Sequence, residues 1–193
     1  MASFRRPSDG EVASFLESQK GRPYSYTAVG ATARRLPHGY NVDRSHVQLG
    51  WGQACFERAT SALRSWAMFD LGWVRATPER EGIEAGNSVA VLVRYSGLWF
   101  LNACRIVYVV DEPTRFGFSY GTLRAHAETG EERFTVDRRS DGSVHYGIFG
   151  FSRPRILAAW VGYPFSRGLQ RRFARDSMRA MEAACGKSSS SIT

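Results

Sequence analysis

Between residues 88 and 151 the chain alternates five runs rich in Val, Ile, Phe and Tyr with short turns, and no other feature restricts the fold as strongly. The runs are 88–95, 99–110, 115–123, 131–137 and 144–151, and the breaks between them carry SG, DEP, TG and SDG. Strands joined in series by such turns form an antiparallel meander. A single open sheet of this kind leaves one apolar face in need of cover.

The flanking segments add to the sheet and supply the cover. Residues 39–49, with Tyr40, Val42, Val47 and Leu49 as apolar members, predict a further strand. The stretch from Val74, punctuated by Pro78, Gly82 and Gly86, is extended as well. Between the two, residues 52–68 set Phe56, Ala59, Thr60, Leu63, Trp66 and Ala67 at three-and-four spacing, the pattern of a helix with one buried stripe. Val12, Phe15, Leu16 and Gln19 predict a short amphipathic helix near the N-terminus, and residues 21–33 read as a connector. After the meander, Pro154 suits the first turn of a helix that runs through 156–161 until Gly162 and Pro164 interrupt it. A last helical segment places Leu169, Phe173, Ser177, Ala180, Met181 and Ala184 on one face, with Arg171, Arg172, Arg175 and Arg179 largely outside it. Only this segment is large enough to cover the sheet.

The expected fold is α+β: a curved seven-stranded antiparallel sheet gripping a long C-terminal helix, the helix-grip arrangement. Residues 1–38 form an N-terminal helical extension packed on the domain, 39–185 the domain itself, and 186–193 a disordered polar tail. A curved sheet around one helix seldom fills its interior, so a cavity between them is the natural place for an apolar ligand.

Composition removes several classes of function. The net charge of +8 comes from 24 arginines and two lysines against 18 acids. That balance raises the possibility of an arginine-driven RNA or acidic-membrane binder. The basic residues are dispersed, however, and the densest group, at 168–179, fits a charged helix face. Cys55, Cys104 and Cys185 lack a CxxC pairing, and no two of His38, His46, His126 and His145 stand at helical ligand spacing, so neither a disulfide framework nor a metal site is expected. GATARR and GWGQ lack the spacing of a phosphate-cradling loop, so no nucleotide cofactor is expected. Ser119 and Ser152 have no nucleophile elbow around them. The apolar runs are too short to span a bilayer, and the N-terminus has no secretory core, which makes the cytoplasm the expected compartment.

Side chains alternate faces along a strand. With Phe116 and Phe118 turned towards the helix, Tyr120 and Thr122 follow, whereas Arg115, Ser119 and Gly121 face outward. On the next strand Phe134 and Val136 carry Glu132 inward, leaving Glu131, Arg133 and Asp137 outside. An internal carboxylate needs a raised pKa, an arginine or hydroxyl partners, and Tyr120 and Thr122 are placed to be those partners. Asn102 is assigned to one face with Cys104, Ile106 and Tyr108.

Three stretches carry a family resemblance: LRSWAMFDLGWV at 63–74, LNACRIVYVVDEPTRFGFSYGTLRAHAETGEERF at 101–134, and FSRP at 151–154 followed by LQ at 169–170. YGTL, the histidine, GEE and SRP occur in that order over a match from Tyr24 to Met181. The chain thereby resembles the DUF1990 (UPF0548) family, which is similar to the Bet v 1-like and START-like helix-grip superfamily, whose members mostly hold hydrophobic small molecules. The resemblance implies the same fold and supplies no catalytic residue. Arg124, Ala125 and Ala127 stand where the family tends towards proline and glycine, so the loop here is less stiff.

The leading expectation is a binder of a hydrophobic or amphipathic molecule, with Trp66, Tyr95, Asn102, Tyr108, Phe118, Tyr120, Thr122, Glu132 and Phe173 as ligand-binding candidates. The alternative is an acid–base enzyme, a cyclase, isomerase or hydrolase, using Glu132, His126 or Tyr120. Against both stands a purely structural reading, in which Glu132 caps loop N–H groups at the sheet rim.

Overall fold

The computed structural model describes residues 2–154 and 163–186. Its strands are β1 (Ala2–Ser3), β2 (Asn41–Trp51), β3 (Val74–Pro78), β4 (Ser88–Tyr95), β5 (Leu98–Glu112), β6 (Arg115–Thr122), β7 (Glu128–Arg138) and β8 (Ser143–Pro154). Its α-helices are α1 (Asp9–Ser18), α2 (Gly52–Arg64) and α3 (Tyr163–Ala184). Seven strands lie antiparallel in the order β2-β8-β7-β6-β5-β4-β3, and β1 pairs with the start of β5 at Phe100 and Trp99.

Each wall of the sheet is built by alternation. On the concave side, Ile106, Phe118, Phe134, Val136 and Tyr146 form one core with Leu63 of α2, Phe69 and Met181 of α3. The hydroxyl of Tyr146 is 2.8 Å from that of Ser177, a polar stitch between sheet and helix inside the core. On α3 the buried stripe includes Ser177 and Met181, with Leu169 and Phe173 packed against the core. It ends on Cys185, which is buried, and not on Ala184, which is exposed.

The convex side is covered as well. Helix α1 starts with a capping box in which the Ser8 hydroxyl accepts from the Glu11 N–H while Glu11 accepts from the Ser8 N–H. Its Val12 and Leu16 then pack on Ala90, Leu92 and Leu101 of β4 and β5. Farther along, Tyr26 and Ala31 pack on Phe151, flanked by Tyr24, Leu36 and Tyr40. With both faces buried, β4 reads as an unbroken apolar run, SVAVLV, where a half-exposed strand would alternate.

Three local expectations need correction. Pro154 is itself the last residue of β8, and the helical segment expected at 156–161 lies outside the described residues, as does the tail from 187. In β2, Val42 is 50% exposed, because Val47 and Leu49 set the inward parity and place Ser45 and Asp43 on their side. In β5 the register slips between Ile106 and Tyr108. A bulge of one residue reverses every side chain beyond it, so Val109 joins the core and Tyr108 faces the convex side, where its hydroxyl is 2.8 Å from that of Thr32.

Candidate functional site

A cleft of about 580 Å³ lies between the concave face and α3. Val74, Val91, Val93, Phe100 and Ile148 of the sheet, Phe69 and Trp73 of the segment after α2, and Leu169 and Phe173 of α3 make its apolar wall. The volume is within the range of small-molecule sites.

The polar end of the cleft follows from strand register. Tyr120 of β6 stands opposite Glu132 of β7, Glu132 opposite Gly150 of β8, and Gly150 opposite Asp43 of β2, one row across four strands. The Tyr120 hydroxyl donates to Glu132 Oε2 at 2.9 Å. Burial pushes the Glu132 carboxyl up to about 7, against the opposing pull of the Tyr120 bond, and nearby Glu128 and Asp43 add to the rise. Burial, with Glu132 beside it, also holds the Tyr120 phenol well above its ordinary value. At the rim, Arg167 of α3 forks onto both oxygens of Asp43 at 2.5 and 2.7 Å and reaches Gln170 Oε1 at 2.6 Å. Gln170 in turn donates to Glu128 and Ser152 at 2.6 and 3.0 Å. This chain of bonds ties the helix to β2, β7 and β8 beside the cleft.

The neighbouring glutamate has a different environment. Glu131, opposite Gly121, points to the convex face and is 3% exposed, because the N-terminal extension lies over it. It accepts from the Tyr26 hydroxyl and the Gly30 N–H, each at 2.7 Å, from the Thr32 N–H at 3.0 Å, and from the Thr32 hydroxyl. The Thr32 hydroxyl also stands 2.8 Å from that of Tyr108 and 3.1 Å from that of Ser119, which extends the cluster along the convex face. A Cβ on Gly121 would come within 2.0 Å of the Tyr26 oxygen, so this close approach requires glycine there. Capping of loop N–H groups is thus performed by Glu131, not Glu132.

Residues 25–180 match the model of a family described as a domain of unknown function, DUF1990. The chain belongs to the DUF1990 family. The UPF0548 protein of Dictyostelium discoideum is 33% identical to this DUF1990 chain, the alignment covering 96% of each. That of Deinococcus radiodurans is 36% identical, over 96% of this chain and all of its own. Among solved structures, the Zhui aromatase/cyclase from Streptomyces sp. R1128 has a TM-score of 0.58 at 8% identity, over 79% of this chain and 99% of that one. That likeness shows a shared fold, a curved antiparallel sheet around a C-terminal helix, and nothing about the reaction.

Of the residues singled out in the DUF1990 sequence, Tyr95, Asn102, Tyr120, Thr122, His126, Glu132 and Phe173 line the cleft. Trp66, Tyr108 and Phe118 do not. Trp66, held at a φ of 61°, packs its ring 4.9 Å from Phe118 deep in the core, and Tyr108 is turned away by the bulge. Thr122 lines the wall, but its hydroxyl engages Ser25 at 2.6 Å and the Gly130 backbone, and Tyr120 supplies the hydroxyl bonded to Glu132. His126 Nδ1 accepts from the Glu128 N–H at 3.0 Å, which leaves Nε2 to carry the ring proton. Asp43, Trp73, Glu128 and Gln170 were not anticipated. Counting back by twos from Val47 would have exposed Asp43, whereas Gln170 and Trp73 meet the sheet only through the tertiary fold.

Proposed function

We propose that this protein binds a hydrophobic or amphipathic small molecule in the cleft between sheet and C-terminal helix. The observation carrying this reading is the pairing of a mostly apolar wall with one convergent polar group, Glu132 bonded to Tyr120. The apolar body of the ligand rests against Trp73, Val93 and Phe173, and its polar end meets Glu132. Among the described residues no helix is long and apolar enough to cross a membrane. Native mass spectrometry of freshly purified protein tests the reading. A co-purifying organic mass, lost when Phe173 is changed to Asp, is the expected result; an empty cleft that also ignores apolar fluorescent probes would refute it.

A second reading, acid–base catalysis on the bound molecule, is favoured by one observation. A carboxyl titrating near 7 can hold or release a proton at neutral pH, and Tyr120 stands in hydrogen-bond contact with it. In that case Glu132→Gln protein isolated from the same cells carries unconverted substrate where wild type carries product, a difference read as mass for a hydrolysis and as chromatographic retention of the extracted ligand for an isomerisation or cyclisation. An identical extracted ligand would leave binding alone.

A further inference from the structure

Hydrogen-bonding capacity around the cleft is unevenly distributed, and this deepens the binding reading above. Several donors lining the cleft are committed: Tyr120 to Glu132, Trp73 Nε1 to Asp176 at 3.1 Å, and Gln170 to Glu128 and Ser152. Acceptors are left over. Glu132 accepts one bond, at Oε2, and its other oxygen has no hydrogen bond among the described residues. Both Asp43 oxygens are held by Arg167, so that pair is electrically closed. Between Glu132 and Asp43 the row contains Gly150, which places no side chain in the gap. The result is a slot bounded on one side by a carboxylate with a vacant acceptor. Strands are about 4.8 Å apart, so the backbones of β7 and β2 stand roughly 10 Å apart across this row; a Cβ on Gly150 would meet the Glu131 carbonyl oxygen at 2.9 Å and Glu132 Cβ at 3.3 Å, so the floor between them takes no side chain.

We propose that the molecule held in this cleft carries a protonated amine, seated over Gly150 against Glu132, with its apolar body along Trp73, Val93 and Phe173. An ammonium group brings only donors and a positive charge, which complements a vacant carboxylate oxygen. A carboxylate head would meet Glu132 as a like charge in a site of low polarity. The charged and titratable groups around the slot are Asp43 and its partner Arg167, Glu128 on β7, His126 before β7 and Arg171 on α3. Arg171 is exposed and lines the cleft from α3. Its charge would favour an anionic amphiphile, so the experiment sets the two head groups against each other.

The probes are decylamine, decanol and decanoate, which share one chain and differ in head group. They are titrated calorimetrically into the full chain at pH 8, where Glu132 is mostly ionised, below their aggregation concentrations. The expected order is decylamine, then decanol, then decanoate, with at least ten-fold between the first and the last. Glu132→Gln, which keeps the side-chain shape, should lower decylamine affinity about ten-fold and leave decanol within two-fold. Decanoate binding as tightly as decylamine, or decylamine affinity that ignores Glu132→Gln in protein of normal melting temperature, overturns the amine assignment while the cleft remains a ligand site. Failure of all three probes overturns both.

Discussion

Glu131 and Glu132 are covalent neighbours of the same residue type on opposite faces of one strand, and the fold treats them in opposite ways. On the convex face Glu131 collects four donors from Tyr26, Gly30 and Thr32, all brought by a segment about a hundred residues earlier in the chain. On the concave face Glu132 receives one hydroxyl, from Tyr120, and the cleft. A carboxylate saturated with donors is a fastener. One left with a vacant oxygen among apolar walls is a reactive or recognising group. Conserving charge type therefore says little about role; the number of donors that reach each oxygen separates the two.

The largest effect expected from breaking this contrast lies on the convex side. Glu131→Ala strands the Tyr26 hydroxyl and two backbone N–H groups in a buried site, and should destabilise the protein by about 3–4 kcal/mol in urea denaturation. Amide exchange around residues 26–33 should accelerate before the rest of the fold. A loss below about 1 kcal/mol would mean that the extension is held by its aromatic contacts with Phe151 and that Glu131 is no fastener.

Glu132 should respond with the opposite sign. Its carboxyl titrates near 7 in the native protein and near 4.5 when unfolded, so between those values the native state holds a proton that the unfolded state has lost. Stability then falls as pH rises through that window and levels off above it. Glu132→Gln removes this dependence. The variant should match wild type at pH 4.5 and exceed it at pH 8 by about 1–2 kcal/mol, a figure reduced from the full linkage value because the group faces an open cleft. Parallel stability curves for the two proteins would place Glu132 among ordinary surface carboxylates and end the comparison.

Smaller effects sharpen it. Tyr120→Phe removes the one bond that favours the ionised form, so it should raise the Glu132 titration midpoint further, visible by carboxyl NMR, and cost about 1 kcal/mol. Tyr108→Phe should cost about 0.5–1 kcal/mol through the loss of its bond to Thr32 and should leave ligand affinity untouched, since the residue faces away from the cleft. A change in affinity there would mean that the two faces are coupled through β5.

The motif YGTL…GEE now has a physical content. Register pairs Tyr120 with Glu132 and Gly121 with Glu131, so one pair of adjacent strands builds the inner site and the outer clasp together. The inner pair was legible from the sequence, because phenylalanines two residues away announce which side is the core. The outer pair was legible only as outward. Nothing local says that residues 24–36 return to cover that face.

The sequence by itself determined the element order, the antiparallel meander, the amphipathic C-terminal helix and the inward setting of Tyr120 and Glu132. All of these follow from the alternation of side chains at period 2 or 3.6, which is fixed by local backbone geometry. The tertiary structure alone decided three things: that Glu131 is buried and fastened, that the bulge after Ile106 turns Tyr108 away from the cleft, and that Asp43, Gly150 and Gln170 meet Glu132 at one polar end. Each depends on contacts between residues far apart in the chain, such as the Tyr26 bond to Glu131 across 105 positions, and a periodic pattern records which way a side chain points but not what arrives to meet it.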